Sequence, residues 1–144
     1  MTKRMMRRWA ARGFTLIELL LVLVILTALA AIVVPKFAKR GEQAKKTQAI
    51  SQIAGFETAL EAYEVDNGQY PTGDQGLNAL IEAPSGVSNW KGPYLTRGVP
   101  NDPWGNPYVY TCPGQHNTNG FDIHSVGPDG TEGTEDDIDN WSPR

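Results

Sequence analysis

Apolar positions follow two different rules along this chain. From Phe14 to Val34 runs FTLIELLLVLVILTALAAIVV, 21 residues with a single charge, Glu18. At about 1.5 Å per residue this makes a helix of roughly 32 Å, enough to cross a bilayer core of about 30 Å. Such a segment must be helical in lipid, which offers no partners to unpaired backbone groups. Past Pro35 the pattern turns amphipathic. Ile50, Ile53, Phe56, Leu60 and Tyr63 recur at steps of 3, 3, 4 and 3, with Gln48, Gln52, Glu57, Glu61 and Glu64 on the other face. Asn67-Gly68 is a helix stop, reinforced by Pro71. The apolar stripe is expected to pack on the domain that follows.

From residue 68 onward the pattern shortens. Asp74-Gln75-Gly76-Leu77 opens a short helix through Leu80-Ile81, and Pro84 ends it. Ser85–Asn89 reads as a loop. Trp90–Leu95 and Asp102–Tyr108 are dense in turn formers and aromatics, which suit the cover of a small core better than a ligand pocket. Tyr108-Val109-Tyr110 and Phe121–Val126 read as two strands separated by a polar Gly/Asn loop, giving a small antiparallel sheet. The fold class is therefore α+β. Its segments are 1–13, 14–34, 35–67 and a globular domain at 68–144, without internal repeats.

Charge sharpens this division. Residues 1–13 carry Lys3, Arg4, Arg7, Arg8 and Arg12 and no acid. The rest of the chain holds 13 − 5 = 8 basic residues against 16 acids, a formal −8. An acidic body repels phosphates, which argues against nucleic-acid binding. The single cysteine, Cys112, has no partner for an intrachain disulfide, and no second thiol completes a zinc set with His116 or His124. All three read as structural. No Ser/His/Asp arrangement is evident, and the acids crowd one loop rather than facing across a cleft, so no enzymatic activity is expected.

The apolar segment admits three readings: a secretory signal cut near Ala28-Leu29-Ala30, a plain anchor, or a leader cut on the cytoplasmic side before the apolar run. Lys36, Lys39, Arg40, Lys45 and Lys46 match the head's basic residues in number, so charge counting does not orient the span; a long C-terminal domain is translocated largely regardless. Glu18 separates the readings. A carboxylate inside the apolar run costs on the order of 3 kcal/mol at the bilayer centre, less near the edge. Neither a disposable signal nor a simple anchor gains from it. A cut after Gly13 would expose the α-amine of Phe14, a charge partner for Glu18 within one chain or between neighbouring subunits.

Arg12-Gly13-Phe14-Thr15-Leu16-Ile17-Glu18-Leu19 resembles the prepilin signature shared by type IV pilins and type II secretion pseudopilins. The resemblance implies cleavage between Gly13 and Phe14 by a prepilin peptidase, with N-methylation of Phe14. Pro35 fits as well, since these families often carry a proline where the helix leaves its apolar half. Proline removes one helical hydrogen bond and can kink or locally melt a helix. The basic cluster at 36–46 reads as a solvated face, or as a partner for Glu57, Glu61 or Glu64 of an adjacent subunit.

Near the end, Val126–Asp137 sets five acids among turn residues, with Gly127, Gly130 and Gly133 allowing the loop to curl. Calcium takes oxygens from carboxylates and carbonyls on such loops, but the spacing is not an EF-hand. Composition leaves a metal site and a solvated acidic loop both open. Gly-Pro-Tyr-Leu, Asp-Pro-Trp-Gly-Asn-Pro-Tyr, Asp-Ile-x-Ser-x-Gly-x-Asp-Gly and Asp-Asp-Ile-x-Asn-Trp together resemble the major pseudopilin family of type II secretion, over nearly the whole chain. That resemblance implies a type IV pilin-like fold, with the long helix packed on the small sheet. It also implies one calcium, held by the backbone oxygens of Val126 and Thr131 and the carboxylates of Asp129, Asp136 and Asp137. In so small a domain without a disulfide, calcium would act as a staple. The implied function is structural. Subunits polymerise into a periplasmic pseudopilus with minor pseudopilins, from a single-pass inner-membrane precursor. An assembly platform and a cytoplasmic ATPase would drive the fibre, which helps folded proteins through the outer-membrane secretin. A type IV pilin or a minor pseudopilin is the alternative; true pilins usually close a C-terminal loop with two cysteines, where this chain has one.

Overall fold

A computed structural model of the chain describes residues 13–143. The expected leader, save Gly13, lies outside the described residues, as do the side chain of Pro35 and Arg144. The described elements are helix α1 (Leu16–Asn67), a short 3-10 helix (Leu77–Leu80) and strands β1 (Val109–Thr111), β2 (Asp122–Ser125) and β3 (Ile138–Asp139). The chain divides into two compact units, one ending at Arg40 and one from Gly41 onward, and α1 contributes to both.

In the first unit, the large apolar side chains from Phe14 to Val33 stand exposed. A helix apolar all round its surface needs an apolar solvent or further copies of itself to cover it. The helix continues unbroken through Pro35, so the lost hydrogen bond there does not melt it.

In the second unit, the end of α1 supplies one side of the core. Ile53, Phe56, Leu60 and Tyr63 are at most 2% exposed, as the stripe predicts. Ile50 does not join them and is 39% exposed, while Ala49 is fully buried and Ala59 nearly so. At 100° per residue Ile50 sits roughly 100° round the helix from the centre of the buried stripe, whereas the alanines fall inside it. The stripe is thus narrower in side chains and closer in backbone than counting large residues suggests. Against it pack Leu77, Ala79 and Leu80 of the short helix, with Tyr108, Phe121 and Ile123. Phe56 meets Tyr108 edge to face at 5.1 Å, and the Tyr108 hydroxyl donates to Gln52 at 2.6 Å.

The turn after α1 follows from Gly68. Its φ of 80° is a left-handed conformation that costs glycine nothing, and its N–H donates to the Glu64 carbonyl at 2.7 Å. Nearby, Asp66 accepts from Lys91 at 2.9 Å and from the Tyr94 hydroxyl at 3.0 Å, which ties the helix end to the loop carrying the aromatics. Those aromatics are core cover, as expected: Trp90 donates to the Ala79 carbonyl, and Tyr94 meets Tyr63 edge to face.

The sheet is antiparallel with β2 in the centre, ordered β1-β2-β3. Val109 pairs with His124 and Thr111 with Asp122 on one side; His124 pairs with Asp139 and Ser125 with Ile138 on the other. All four residues of β2 are buried, as a central strand requires. β3 is an addition to the two expected strands. At two residues it is too short to show a period, and it forms because the chain returns along β2.

Candidate functional site

Two places hold the residues singled out by sequence. At the head of α1, Gly13 and Phe14 are exposed outside the helix, and an added Cβ on Gly13 would meet nothing within 4 Å. Thr15 is the N-cap: its hydroxyl accepts from the Glu18 N–H at 3.2 Å, and its carbonyl accepts the first helical bond, from Leu19, also at 3.2 Å. Thr15-x-x-Glu18 is thus a capping-box sequence as well as part of the motif singled out at the head of the apolar run. It fixes the start of the helix at Leu16 and sets Glu18 in the first turn, where the positive end of the helix dipole favours a carboxylate. This structural role of Thr15 was readable from the spacing and was missed beside the motif.

The second place is the loop after β2. Val126 and Gly127 are buried, Asp129 and Thr131 are exposed, and Asp136 and Asp137 are half-buried. Hydrogen bonds fold the loop on its own carboxylates. Asp129 accepts from the Thr131 N–H at 2.7 Å, and its own N–H donates to Asp136 at 3.2 Å. Asp137 accepts from the Gly133 N–H at 2.8 Å. The Thr134 hydroxyl lies 2.6 Å from Asp136 Oδ1 and 3.4 Å from Asp137 Oδ1, bracing two of the expected ligands together. The Thr134 hydrogen bond, with further backbone N–H donors and the charge of Lys46, outweighs desolvation and holds the Asp136 carboxyl below the usual range.

Gly127 brings the two ends of the loop together. Its φ is 65°, and an added Cβ would meet the Asp136 carbonyl at 2.5 Å and Asp136 Oδ2 at 2.9 Å. The loop's entry is fixed from behind by Asp102, which is 4% exposed. Asp102 accepts from Trp104 and Asn106 N–H groups and from the Ser125 hydroxyl at 2.6 Å, and Ser125 accepts from the Gly127 N–H. Asp102 is a positioning residue that sequence reading left as turn material; the Asp-Pro-Trp-Gly-Asn spacing of an Asx turn was its signal.

Among the described residues, no group of three or more His, Cys, Asp and Glu side chains stands arranged to hold a metal ion. The carboxylates of Asp129, Asp136 and Asp137 face their own loop's donors instead. Their chemistry nevertheless fits one class of ion. All the expected ligands are hard oxygens, two of them backbone carbonyls, which suits calcium rather than zinc or copper. The close approach of Gly127 to Asp136 supplies the tight closure such a loop needs.

The histidines are structural, as expected. His116 stacks on Trp141 at 4.1 Å and its ring nitrogen lies 3.1 Å from Asp122. His124 is 8% exposed, and its Nε2 has no hydrogen-bond partner; Glu132 Oε1 is 3.5 Å away. Cys112 is half-buried beside the Gly120 carbonyl.

Two family models match the chain. That of the Type II secretion system (T2SS), protein G covers residues 36–141, and the prokaryotic N-terminal methylation motif covers residues 10–34. The type II secretion system core protein G of Escherichia coli K12 is 47% identical over 133 residues, 90% of each chain. That of Pseudomonas aeruginosa is 47% identical over 142 residues, 94% of this chain and 99% of its own. Among solved structures, the major pseudopilin of the type 2 secretion system of enterohaemorrhagic E. coli is 40% identical, with a TM-score of 0.64 over 76% of this chain and 96% of its own. The agreement of head motif, helix, sheet and sequence leaves one conclusion: this chain belongs to the type II secretion system protein G family of major pseudopilins, with their type IV pilin-like fold.

Proposed function

We propose that this chain is the subunit from which a pseudopilus is built, with the globular unit in the periplasm and the apolar half of α1 as the fibre's axis. The observation that carries this reading is the exposed apolar surface from Phe14 to Val33, on a helix whose first turn bears Glu18. In the membrane that surface is covered by lipid, and in the fibre by the same surface of other copies. Glu18 then meets the α-amine of Phe14 released by cleavage after Gly13, and this pairing sets how far one subunit rises past the next. The prepilin peptidase, the minor pseudopilins, the inner-membrane platform and the secretin are the partners that such a subunit requires. The role is mechanical and needs no catalytic residue.

The test is assembly in cells carrying the secretion machinery. Gly13→Val should leave the leader attached and abolish fibres, and Glu18→Gln should cut fibre yield at least about tenfold, since charge pairing in an apolar surround is lost. Normal fibres from the uncleaved variant would sink the reading.

The loop after β2 is proposed as a calcium site, with the Val126 and Thr131 carbonyls and the Asp129, Asp136 and Asp137 carboxylates as ligands. The cation would draw the three carboxylates together from the loop donors they now accept from, neutralise them and close the loop on the sheet. Thermal unfolding, followed by near-ultraviolet dichroism, should shift upward by several degrees in excess calcium relative to chelator. Asp136→Ala should remove the shift. Equal midpoints in calcium and chelator would discard the site and leave the filament reading intact.

A further inference from the structure

The residues just beyond the apolar run have no role in the reading above. Val33, Lys36, Phe37 and Arg40 line one side of α1, at the spacing i, i+3, i+4, i+7 that places them on one face. Lys39 lies beside them. No acid occurs between Leu19 and Gly41, and the first one after that, Glu42, accepts from the Trp104 indole at 3.0 Å and lies 3.8 Å from Lys45. Lys36, Lys39 and Arg40 make no ion pair among the described residues. Phe37 is 66% exposed between them.

We infer that this face docks on the headgroups of anionic phospholipids and holds the subunit in the membrane before assembly. The inference rests on the membrane-spanning reading of α1. The geometry follows from it. The apolar run ends at Val34, so at about 1.5 Å per residue Lys36 stands roughly 3 Å beyond the hydrocarbon and Arg40 roughly 9 Å. The headgroup layer occupies about 5 to 7 Å on each side of the core, so the three cations bracket the plane of the phosphates. Their aliphatic stems run along the helix while the charged ends reach the phosphates, and Phe37 inserts at the boundary. These cations do not set the orientation of the span, since the head carries as many, so another use is open to them. Charge favours lipid over a second copy at this face. A parallel neighbour at the same height presents the same cations, and the acids at Glu57, Glu61 and Glu64 lie 17 or more residues further on, about 25 Å along the helix.

The test takes the full chain, purified in mild detergent with equimolar phosphatidylglycerol and phosphatidylcholine, and counts retained lipids by native mass spectrometry. Wild type should retain phosphatidylglycerol at least about tenfold over phosphatidylcholine, from a gain of about fivefold per interfacial cation. Lys36→Gln, Lys39→Gln and Arg40→Gln combined should lower the preference severalfold, the five cations of the head keeping the remainder, whereas Lys45→Gln with Lys46→Gln should leave it unchanged. No preference in wild type, or a preference undiminished by the triple change, overturns the inference. A triple variant that keeps its lipids but fails to form fibres assigns the face to a second copy instead. Displacement of the lipid by millimolar glycerol phosphate would reduce the face to a phosphate site and equally overturn it. Retention of neither lipid equally overturns the inference, whereas a chain recovered in the soluble fraction without detergent would overturn the membrane-spanning reading itself.

Discussion

Asp122 ties a whole loop to the sheet through one side chain. Its side chain is 7% exposed, and it accepts from the N–H groups of Gln115, His116 and Asn117 at 2.7 to 2.9 Å, with the His116 ring at 3.1 Å. Burial pushes its carboxyl up, but bonds from the His116 and Asn117 N–H groups, the His116 ring and the Gln115 N–H outweigh burial and leave it below its ordinary 3.8. A lowered folded pKa means that the unfolded state binds its proton first as pH falls. The stabilisation is therefore complete above the ordinary carboxylate range and is lost as pH drops below about 3.8 and through the folded value. Asp122→Asn turns an amide toward three N–H donors and should cost about 3 kcal/mol at neutral pH by urea unfolding. It should also flatten the acid limb of the stability profile. A variant as acid-sensitive as wild type would show that Asp122 does not hold the 113–120 loop. None of this was readable from Asp-Ile-His-Ser, where Asp122 looked like one polar position of a strand. Its donors come from a loop that folds back on it, and no spacing announces that.

Short elements here depend on side chains outside them. β3 contributes only two residues, but Asn140 extends it: its N–H donates to the Ile123 carbonyl, its Oδ1 accepts from the Ile123 N–H, and its Nδ2 donates to the Phe121 carbonyl. One side chain thus substitutes for a further pair of ladder bonds. Asn140→Ala leaves the buried Ile123 N–H unpartnered and should cost about 2 kcal/mol. Hydrogen exchange of the Ile123 amide should accelerate at least about tenfold, while β1 amides such as Tyr110 change less; equal protection in the variant would show that β3 alone suffices. The long helix behaves in the opposite way. Its start at Thr15, its end at Gly68 and most of its buried stripe follow from local rules of capping and period, and these were legible. Ile50 was not, because its exposure depends on how close the partner elements come.

Assembly belongs to the chain as a whole. One part of α1 is apolar on every side and stands exposed among the described residues, while the part from Gly41 onward belongs to a core of its own. Such a division fits a subunit that folds alone but completes its burial only among copies. If the cations at 45–46 meet acids of an adjacent subunit, Lys45→Glu with Lys46→Glu should lower fibre yield severalfold while the monomer stays folded, its unfolding midpoint falling by only a few degrees; unchanged fibres would end that idea. Within the chain Glu42 already lies 3.8 Å from Lys45, and the charge of Lys46 acts on Asp136, so each of the two cations also faces an acid of its own subunit.

By itself the sequence determined everything governed by neighbours along the chain. These are the long helix with its unbroken apolar run, its cap and stop, the N-terminal methylation motif at residues 10–34, and an acidic loop rich in hard oxygen donors. It also carried the family, because the motifs are contiguous. Tertiary structure alone decided what depends on distant segments meeting. It buried Asp102 beneath the loop's entry, pressed Gly127 on Asp136, stacked His116 on Trp141 and paired Ile138-Asp139 with β2. The physical reason is range. Capping, periodicity and turn chemistry act within a few residues, whereas buried polar satisfaction and close backbone contact are settled only when chain segments far apart are brought together.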